Sequence, residues 1–141
     1  MNALAVLSMV ERFVRHHLNA DETAALLGGE VRRLDAHTLA VESSSVAEAH
    51  LEELAGELVG MVLSFAPALS ITSEEWQQRF GPAIERPPKP HIFDQIDRQF
   101  SIEEDDVRAH IRVTVPRDST GSEWPVKRLI VRRAPRRDHG H

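Results

Sequence analysis

The apolar side chains of residues 46–65 recur at spacings of three and four, and this pattern constrains the fold more than any other in the chain. The stripe consists of Ala47, Leu51, Leu54, Leu58, Met61 and Phe65. A repeat of this period predicts an amphipathic helix with one buried face. Ser45 followed by Glu48 predicts a capping box at its start, and Pro67 predicts its end. We therefore expect one long helix here.

Short strands are predicted on both sides of this helix. Residues 38–42 alternate, with Leu39 and Val41 on one face, which is the period of a strand. Residues 31–34 and 68–72 are predicted to form the other two strands. The sheet that the long helix covers would therefore have three strands.

Two helices are predicted ahead of the first strand. The first covers residues 3–18, where one apolar face is formed by Ala3, Leu7, Val10, Val14 and Leu18. Asn19 and Glu22 predict a capping box that starts a second helix at residues 20–27. The resulting order predicts an α+β fold with a helix-helix-strand-strand-helix-strand core over residues 1–80.

A short helix and a connector are predicted to close this core. Residues 74–80 form the helix, in which Trp76 and Phe80 lie four positions apart and share a face. Residues 81–90 contain four prolines, which is typical of a stiff, extended segment. This segment is the predicted domain boundary.

The remainder of the chain is predicted to be a helix followed by a β-hairpin, over residues 91–133. The helix is indicated over residues 91–100 by Ile92, Phe93, Ile96 and Phe100. Alternation over residues 107–115 and 126–131 predicts the hairpin, which either extends the same sheet or pairs with another subunit. Residues 134–141 are predicted to be a disordered tail.

Charge is distributed unevenly along the chain. The whole protein of 141 residues has a formal net charge of −5. Residues 1–106 hold 8 Lys/Arg and 19 Asp/Glu, a net of −11, whereas residues 107–141 hold 9 and 3, a net of +6. Two interpretations stay open: the basic end binds an anionic partner, or it folds back on the acidic body.

The basic hairpin supplies the candidate residues for binding nucleic acid or another anionic partner. These residues are Arg108, Arg112, Lys127, Arg128, Arg132 and Arg133. Contacts of such side chains with phosphates would weaken as salt rises. Trp124 is the nearby aromatic residue that could stack on a base.

A second set of residues is predicted to contact a protein partner or a second subunit. Gly56 and Gly60 form a G-x-x-x-G spacing, which indicates close packing of the predicted helix against the protein or a dimer face. Trp76 and Phe80 are the aromatic candidates for the same role. We therefore expect a protein partner and allow for a homodimer.

The cysteine and histidine content limits the kinds of catalytic and metal site that the chain can form. The chain has no cysteine, which excludes disulfides and thiolate sites and fits a reducing compartment. Its eight histidines follow no metal-binding spacing, so we predict no metal, no cofactor and no catalytic site. Only His37, His50 and His110 would be candidates for the catalytic residues of an enzyme.

The N-terminal segment is interpreted as an amphipathic helix rather than a signal peptide, and no apolar run is long enough to span a bilayer, so we expect a cytoplasmic protein.

The segment HTLAVESSSVAEAHLEELAGELVGMVL carries a family resemblance. Its alternating strand followed by a long amphipathic helix resembles the KH-like N-terminal domain of the bacterial replication initiator DnaA, and is similar to the τ-type domains of clamp-loader subunits. The likeness covers residues 3–72 and departs from the family at Val46 and His50, where an aromatic pair is usual. The chain also lacks a Walker A loop and a GxxG loop, and residues 91–141 have no counterpart there. The resemblance implies a module that recruits replication or DNA-processing partners.

Two functional hypotheses follow from these observations. The first is a non-enzymatic adaptor or regulatory module that binds a protein partner, in DNA replication or repair, with a basic hairpin for an anionic partner. The alternative is a small acidic dimeric chaperone for a secreted or assembled protein, which predicts an exposed apolar groove and no affinity for DNA.

Overall fold

The structure, a computed structural model, describes residues 1–16, 18–86, 95–104, 106–116 and 122–135. These residues form three helices and eight strands. The helices are α1 (Ala3–Arg15), α2 (Ala20–Leu26) and α3 (Ser73–Phe80). The strands are β1 (Gly29–Arg33), β2 (Thr38–Ser43), β3 (Glu48–Leu54), β4 (Glu57–Thr72), β5 (Ile84–Arg86), β6 (Gln95–Glu104), β7 (Val107–Pro116) and β8 (Glu123–Arg133).

All eight strands belong to one antiparallel sheet, in the order β1-β2-β3-β4-β8-β7-β6-β5. Each half of the chain forms a meander of four strands, and the last strands of the two meanders, β4 and β8, pair at the centre. Hairpin strands β7 and β8 pair with each other, as predicted. Of the two alternatives left open for the hairpin, the structure shows the first, in which it extends the same sheet.

One face of the sheet is buried beneath the helices. α1 begins at the Asn2 cap and buries Val6, Leu7, Met9, Val10, Phe13 and Val14. Alternate residues of the central strands meet it from below, among them Met61, Leu63, Ile111, Val113, Leu129 and Val131, all fully buried. Each such side chain contributes roughly 1.5–3 kcal/mol when it leaves water. The residues between them point to the opposite side, which we call the open face.

The predicted long helix over residues 46–65 is wrong, and with it the KH-like core. Those residues form the hairpin of β3 and β4, joined by a turn at Ala55 and Gly56. Both turn residues have positive φ, 53° and 79°. This is the geometry of a two-residue turn whose twist matches the flanking strands, and glycine accepts it at little cost. The observed core is a sheet-dominated α+β fold rather than a helix-helix-strand-strand-helix-strand domain.

A turn and a β-bulge together produced the helical spacing. Leu51 and Leu58 are seven positions apart because the turn separates them, yet both point into the core. Between β3 and β4 the register shifts, with Glu52 opposite Gly60 and Glu53 opposite Leu58. The extra residue changes the alternation by one position, so the next inward side chain after Leu58 is Met61. Spacings of seven and three imitate the period of a helix, although the apolar residues that show them lie in the extended strands on either side of the turn.

The predicted helix over residues 91–100 is also wrong for the part that the structure describes. Residues 95–100 lie in β6, where Ile96, Phe100 and Ile102 point inward. A spacing of four is two periods of a strand as well as about one turn of a helix, so the pattern favours both. The predictions that fall on Ile92, Phe93, residues 87–90 of the connector and residues 136–141 of the tail lie outside the described residues.

The capping box predicted for α2 is confirmed, and the other capping predictions are wrong in position or absent. The Asn19–Glu22 capping box is present at the start of α2, with both reciprocal hydrogen bonds. At α3 the box is formed by Thr72 and Glu75, one residue before Ser73, which the sequence predicts as the cap of this helix. The predicted box at Ser45 is absent: Ser43 donates its hydroxyl hydrogen to the Leu27 carbonyl and accepts the N–H groups of the next loop.

Candidate anion-binding face on the central strands

The basic residues of the hairpin come together on the open face of β7 and β8. His110 lies opposite Arg132, Arg112 opposite Ile130, and Thr114 opposite Arg128. Arg108 lies two residues further along β7, exposed between the half-buried Val107 and the buried Ala109, and opposite the exposed Glu103 of β6. Directly opposite residues lie about 5 Å apart and diagonal ones about 7–8 Å, which long side chains can reach, so the four arginines and His110 form one cluster. We call this cluster, with the adjacent Lys127, the basic band.

Three cations of the basic band have no ion pair within the described residues. Arg108, Lys127 and Arg128 are exposed. Arg112 is 3.8 Å from Asp97 of β6, and Arg132 is 3.4 Å from Glu52 of β3. Exposed pairs of this kind contribute little, about 0–1 kcal/mol each, so a partner carboxylate could replace Asp97 or Glu52. The basic end thus folds back on the acidic body in part and presents its other cations to solvent.

Arg133 is placed on the opposite side from the basic band. Its side chain is only 7% exposed and pairs with Glu57. It also donates a 2.9 Å hydrogen bond to the Phe13 carbonyl at the end of α1. Adjacent strand residues point to opposite faces, so Arg132 is outward and Arg133 inward. The structure gives Arg133 a packing role that joins α1 to the sheet and separates it from the other predicted anion-binding residues.

The aromatic residues predicted to contact partners lie in the core. Trp76 is fully buried, with ring centroids 6.0 Å from Phe80 and 5.8 Å from Phe100. Trp124 continues this cluster at 6.2 Å from Phe100, and the Arg98 guanidinium lies 5.4 Å from its ring centroid. These rings form the packing between α3, β6 and β8. Neither Trp76 and Phe80 as partner contacts nor Trp124 as a base-stacking platform is available at this surface.

The two glycines predicted at a dimer face serve the β3–β4 hairpin. Gly56 is the second residue of its turn, with φ of 79°. Gly60 lies in β4 opposite Glu52, and a Cβ atom on Gly60 would come within 3.3 Å of the Glu52 side chain. The spacing of four therefore reflects a turn and a close cross-strand approach, with no helix on which a G-x-x-x-G face could exist.

Outside the basic band, charged groups of the described residues form ion pairs and turn contacts, such as those of Arg15 with Glu104 and Arg79 with Glu11. No group of three or more His, Asp or Glu side chains in those ranges has the arrangement of a metal site. His110 is 3.1 Å from the Ser101 hydroxyl on the exposed side of β6 and β7. Asp35 accepts the N–H groups of His37 and Thr38, both at 2.8 Å. The His37 N–H in particular lowers the Asp35 pKa, and this carboxylate shapes the β1–β2 turn.

Sequence reasoning missed an open groove on the N-terminal half of the sheet. β2 and β3 pair only from Thr38 to Ala40, and below that point they separate. Glu42 already lies directly opposite Glu30 of β1, and continuing the β2–β3 register would place a second like charge, Glu48, opposite it from the other side, which is destabilising. Residues of both strands line the resulting groove. The unfavourable pair was visible in the sequence, but only once residues 48–54 were known to form a strand.

Comparison with known proteins adds no family to this geometry. No family model, no curated protein and no solved structure matches the chain. Among the described residues, no helix is both long and apolar enough to cross a membrane. The basic band is therefore the feature on which a function can be proposed.

Proposed function

We propose that this protein is a non-enzymatic binding module whose basic band binds an acidic segment of a protein partner. The observation that supports the proposal is the set of three exposed cations, Arg108, Lys127 and Arg128, without an ion pair in the described part of the chain. An extended acidic segment lying across β7 and β8 would place its carboxylates at these side chains. Complementary charge of this kind contributes mainly to association rate and specificity.

An acidic polypeptide fits this face better than nucleic acid does. The same face carries Glu52 and Asp97 at the edges of the basic band, and the net charge of the protein is −5. Both features oppose a long polyphosphate, whose binding depends on neutralising many charges at once. Trp124 is buried, which removes the predicted stacking contact. A short acidic segment can contact the central arginines and leave the acidic margins uncovered.

The association with DNA replication is not part of this proposal. It depended on the likeness of residues 3–72 to the KH-like domain, and the residues predicted to form the long helix that carried this likeness form the β3–β4 hairpin instead.

The chaperone alternative requires a contiguous apolar groove. The large exposed apolar side chains of the described residues lie on separate elements: Leu4, Leu26, Leu34, Leu54 and Ile84. We propose the cytoplasm as the compartment, in keeping with the cysteine-free sequence.

Removing the three unpaired cations should abolish most binding to an acidic probe. Fluorescence anisotropy with a labelled decaglutamate peptide would be measured at low and moderate salt. We expect the wild-type protein to bind more weakly as salt rises, because screening reduces attraction between exposed charges. The triple variant Arg108→Ala/Lys127→Ala/Arg128→Ala should weaken binding by about tenfold or more, from three lost charge contacts.

Two controls make this measurement specific. Arg12→Ala removes one cation from the helical side, where Arg12 pairs with the exposed Glu22, and should change affinity less than about twofold. Arg108→Lys/Arg128→Lys keeps the charge and should retain most of the affinity. A weakening by Arg12→Ala as large as that by Arg128→Ala alone, which removes the same charge, would show that only net charge matters. Tighter binding of labelled 20-base DNA than of the peptide, lost in the same triple variant, would replace the acidic partner with nucleic acid.

A further inference from the structure

Strand β1 forms one edge of the sheet. It pairs with β2 from Gly29 opposite Ser43 to Arg33 opposite Leu39, and no other strand of the described residues pairs with it. Glu30, Arg32 and Arg33 are exposed along it. An edge of this kind presents backbone donors and acceptors to which another strand can add.

The hydrogen-bonding pattern shows which backbone groups face outward. The Ser44 N–H donates to the Gly28 carbonyl at 3.4 Å, and the Leu34 N–H donates to the Thr38 carbonyl at 2.9 Å. Antiparallel pairs alternate between bonded and non-bonded, so Glu30 and Arg32 are the β1 residues bonded to β2. The N–H and C=O groups of Gly29, Val31 and Arg33 therefore point away from the sheet.

The charges along β1 are self-complementary about Val31. If a second β1 runs antiparallel with a two-fold axis at Val31, Glu30 of each copy lies opposite Arg32 of the other. Gly29 then lies opposite Arg33, and Val31 opposite itself. The outward backbone groups form about six hydrogen bonds in this register. The two Glu30–Arg32 pairs take the non-bonded positions, in which the side chains approach most closely.

We propose that two copies of this chain form a two-fold dimer by pairing their β1 strands through this register. The same patch then serves on both subunits, as a closed two-fold interface requires. Charges on an edge also serve to prevent pairing, but a protective edge gains most from charges of one sign. Glu30 and Arg32 have opposite signs and are equidistant from the axis, which favours pairing. The inference is independent of the acidic partner proposed for the basic band.

Charge reversal tests the register. The association constant would be measured by sedimentation equilibrium over roughly 10 μM to 1 mM, since a single edge strand buries less than a standard interface and gives a weak dimer. Glu30→Arg alone, or Arg32→Glu alone, creates two like-charge pairs and should raise the dissociation constant at least about tenfold. The double variant Glu30→Arg/Arg32→Glu restores opposite charges and should return the constant to within about threefold of wild type.

A proline variant tests the backbone pairing separately. The Val31 N–H faces outward, so Val31→Pro removes no hydrogen bond within the subunit, and edge strands tolerate proline at such positions. We expect this variant to be monomeric and to keep the circular dichroism of the wild type. A wild-type protein that stays monomeric to 1 mM would overturn the proposal. So would a double charge variant no better than the single ones, or a Val31→Pro protein that still forms the dimer.

Discussion

Replacing Trp76 with alanine is expected to lower the free energy of unfolding by about 3–5 kcal/mol. Trp76 is fully buried and contacts the rings of Phe80 and Phe100. Truncation removes this area and leaves a cavity between α3 and β6 that the neighbouring rings fill only in part. Urea denaturation followed by far-ultraviolet circular dichroism would give the difference.

Two further variants separate burial from partner contact. Within the described part of the chain the Trp76 indole N–H has no acceptor, and a buried unpaired donor is unfavourable. Trp76→Phe loses less area and removes that donor, so it should cost clearly less than Trp76→Ala. Leu54→Ala, at a side chain 46% exposed, should change stability by less than about 0.5 kcal/mol. A Trp76→Ala protein as stable as wild type would contradict the burial of Trp76 and favour a role for it in contacting a partner.

Replacing Arg133 with alanine is expected to destabilise the protein by about 1.5–3 kcal/mol, the range for losing hydrogen bonds that involve a charged group. The Arg133 guanidinium pairs with Glu57, donates to the Phe13 carbonyl and lies 5.8 Å from the Phe13 ring centroid. Its loss leaves the Glu57 carboxylate without this cation and the end of α1 without a donor. Thermal and urea denaturation of the purified variant would measure the change.

The neighbouring arginine provides the matched control. Arg132 is 62% exposed and pairs only at 3.4 Å with the exposed Glu52, so Arg132→Ala should cost less than about 1 kcal/mol. The order should be reversed for affinity. Arg132→Ala should weaken binding to decaglutamate, whereas Arg133→Ala, measured under conditions where it is folded, should not. Equal stability losses, or binding lost only in Arg133→Ala, would contradict the placement of these two side chains.

Much of the helical structure could be predicted because its signals are local. Asn2 and Asn19 cap α1 and α2 through the backbone N–H groups three residues on, and a cap of this kind needs no tertiary contact. The alternation of β7 likewise predicted which residues point outward, including Arg108 and Arg112. These features depend on neighbours within a few positions of the sequence.

The rest of the fold depended on contacts between distant residues. Residues 46–65 are rich in leucine and glutamate, which favour helices, and the turn and bulge gave them helical spacing. What makes them strands is pairing with β2 and with β8, about 70 residues later. The predicted KH-like core required a helix at residues 46–65. Because these residues form two strands, the observed order of helices and strands differs from that of a KH-like core.

In the candidate site, too, local sequence patterns predicted some features, and others depended on contacts between distant residues. Alternation from Val131 predicts that Arg132 and Arg133 face opposite sides, but no sequence pattern shows that α1 ends above Arg133. The shared helical face of Trp76 and Phe80 was predicted correctly. That face is buried because Phe100 of β6 packs against it. The sequence pattern assigned residues 91–100 to a helix, so this contact could not be predicted.

A nuclear magnetic resonance titration of the labelled protein with decaglutamate tests the basic band most directly. We expect shift changes centred on the backbone amides and guanidinium groups of Arg108, Arg112, Arg128 and Arg132, saturating with one binding constant and diminishing with salt. Changes centred on the helices or on the β2–β3 groove, or no changes at millimolar peptide, would contradict the proposal that this face binds an acidic partner.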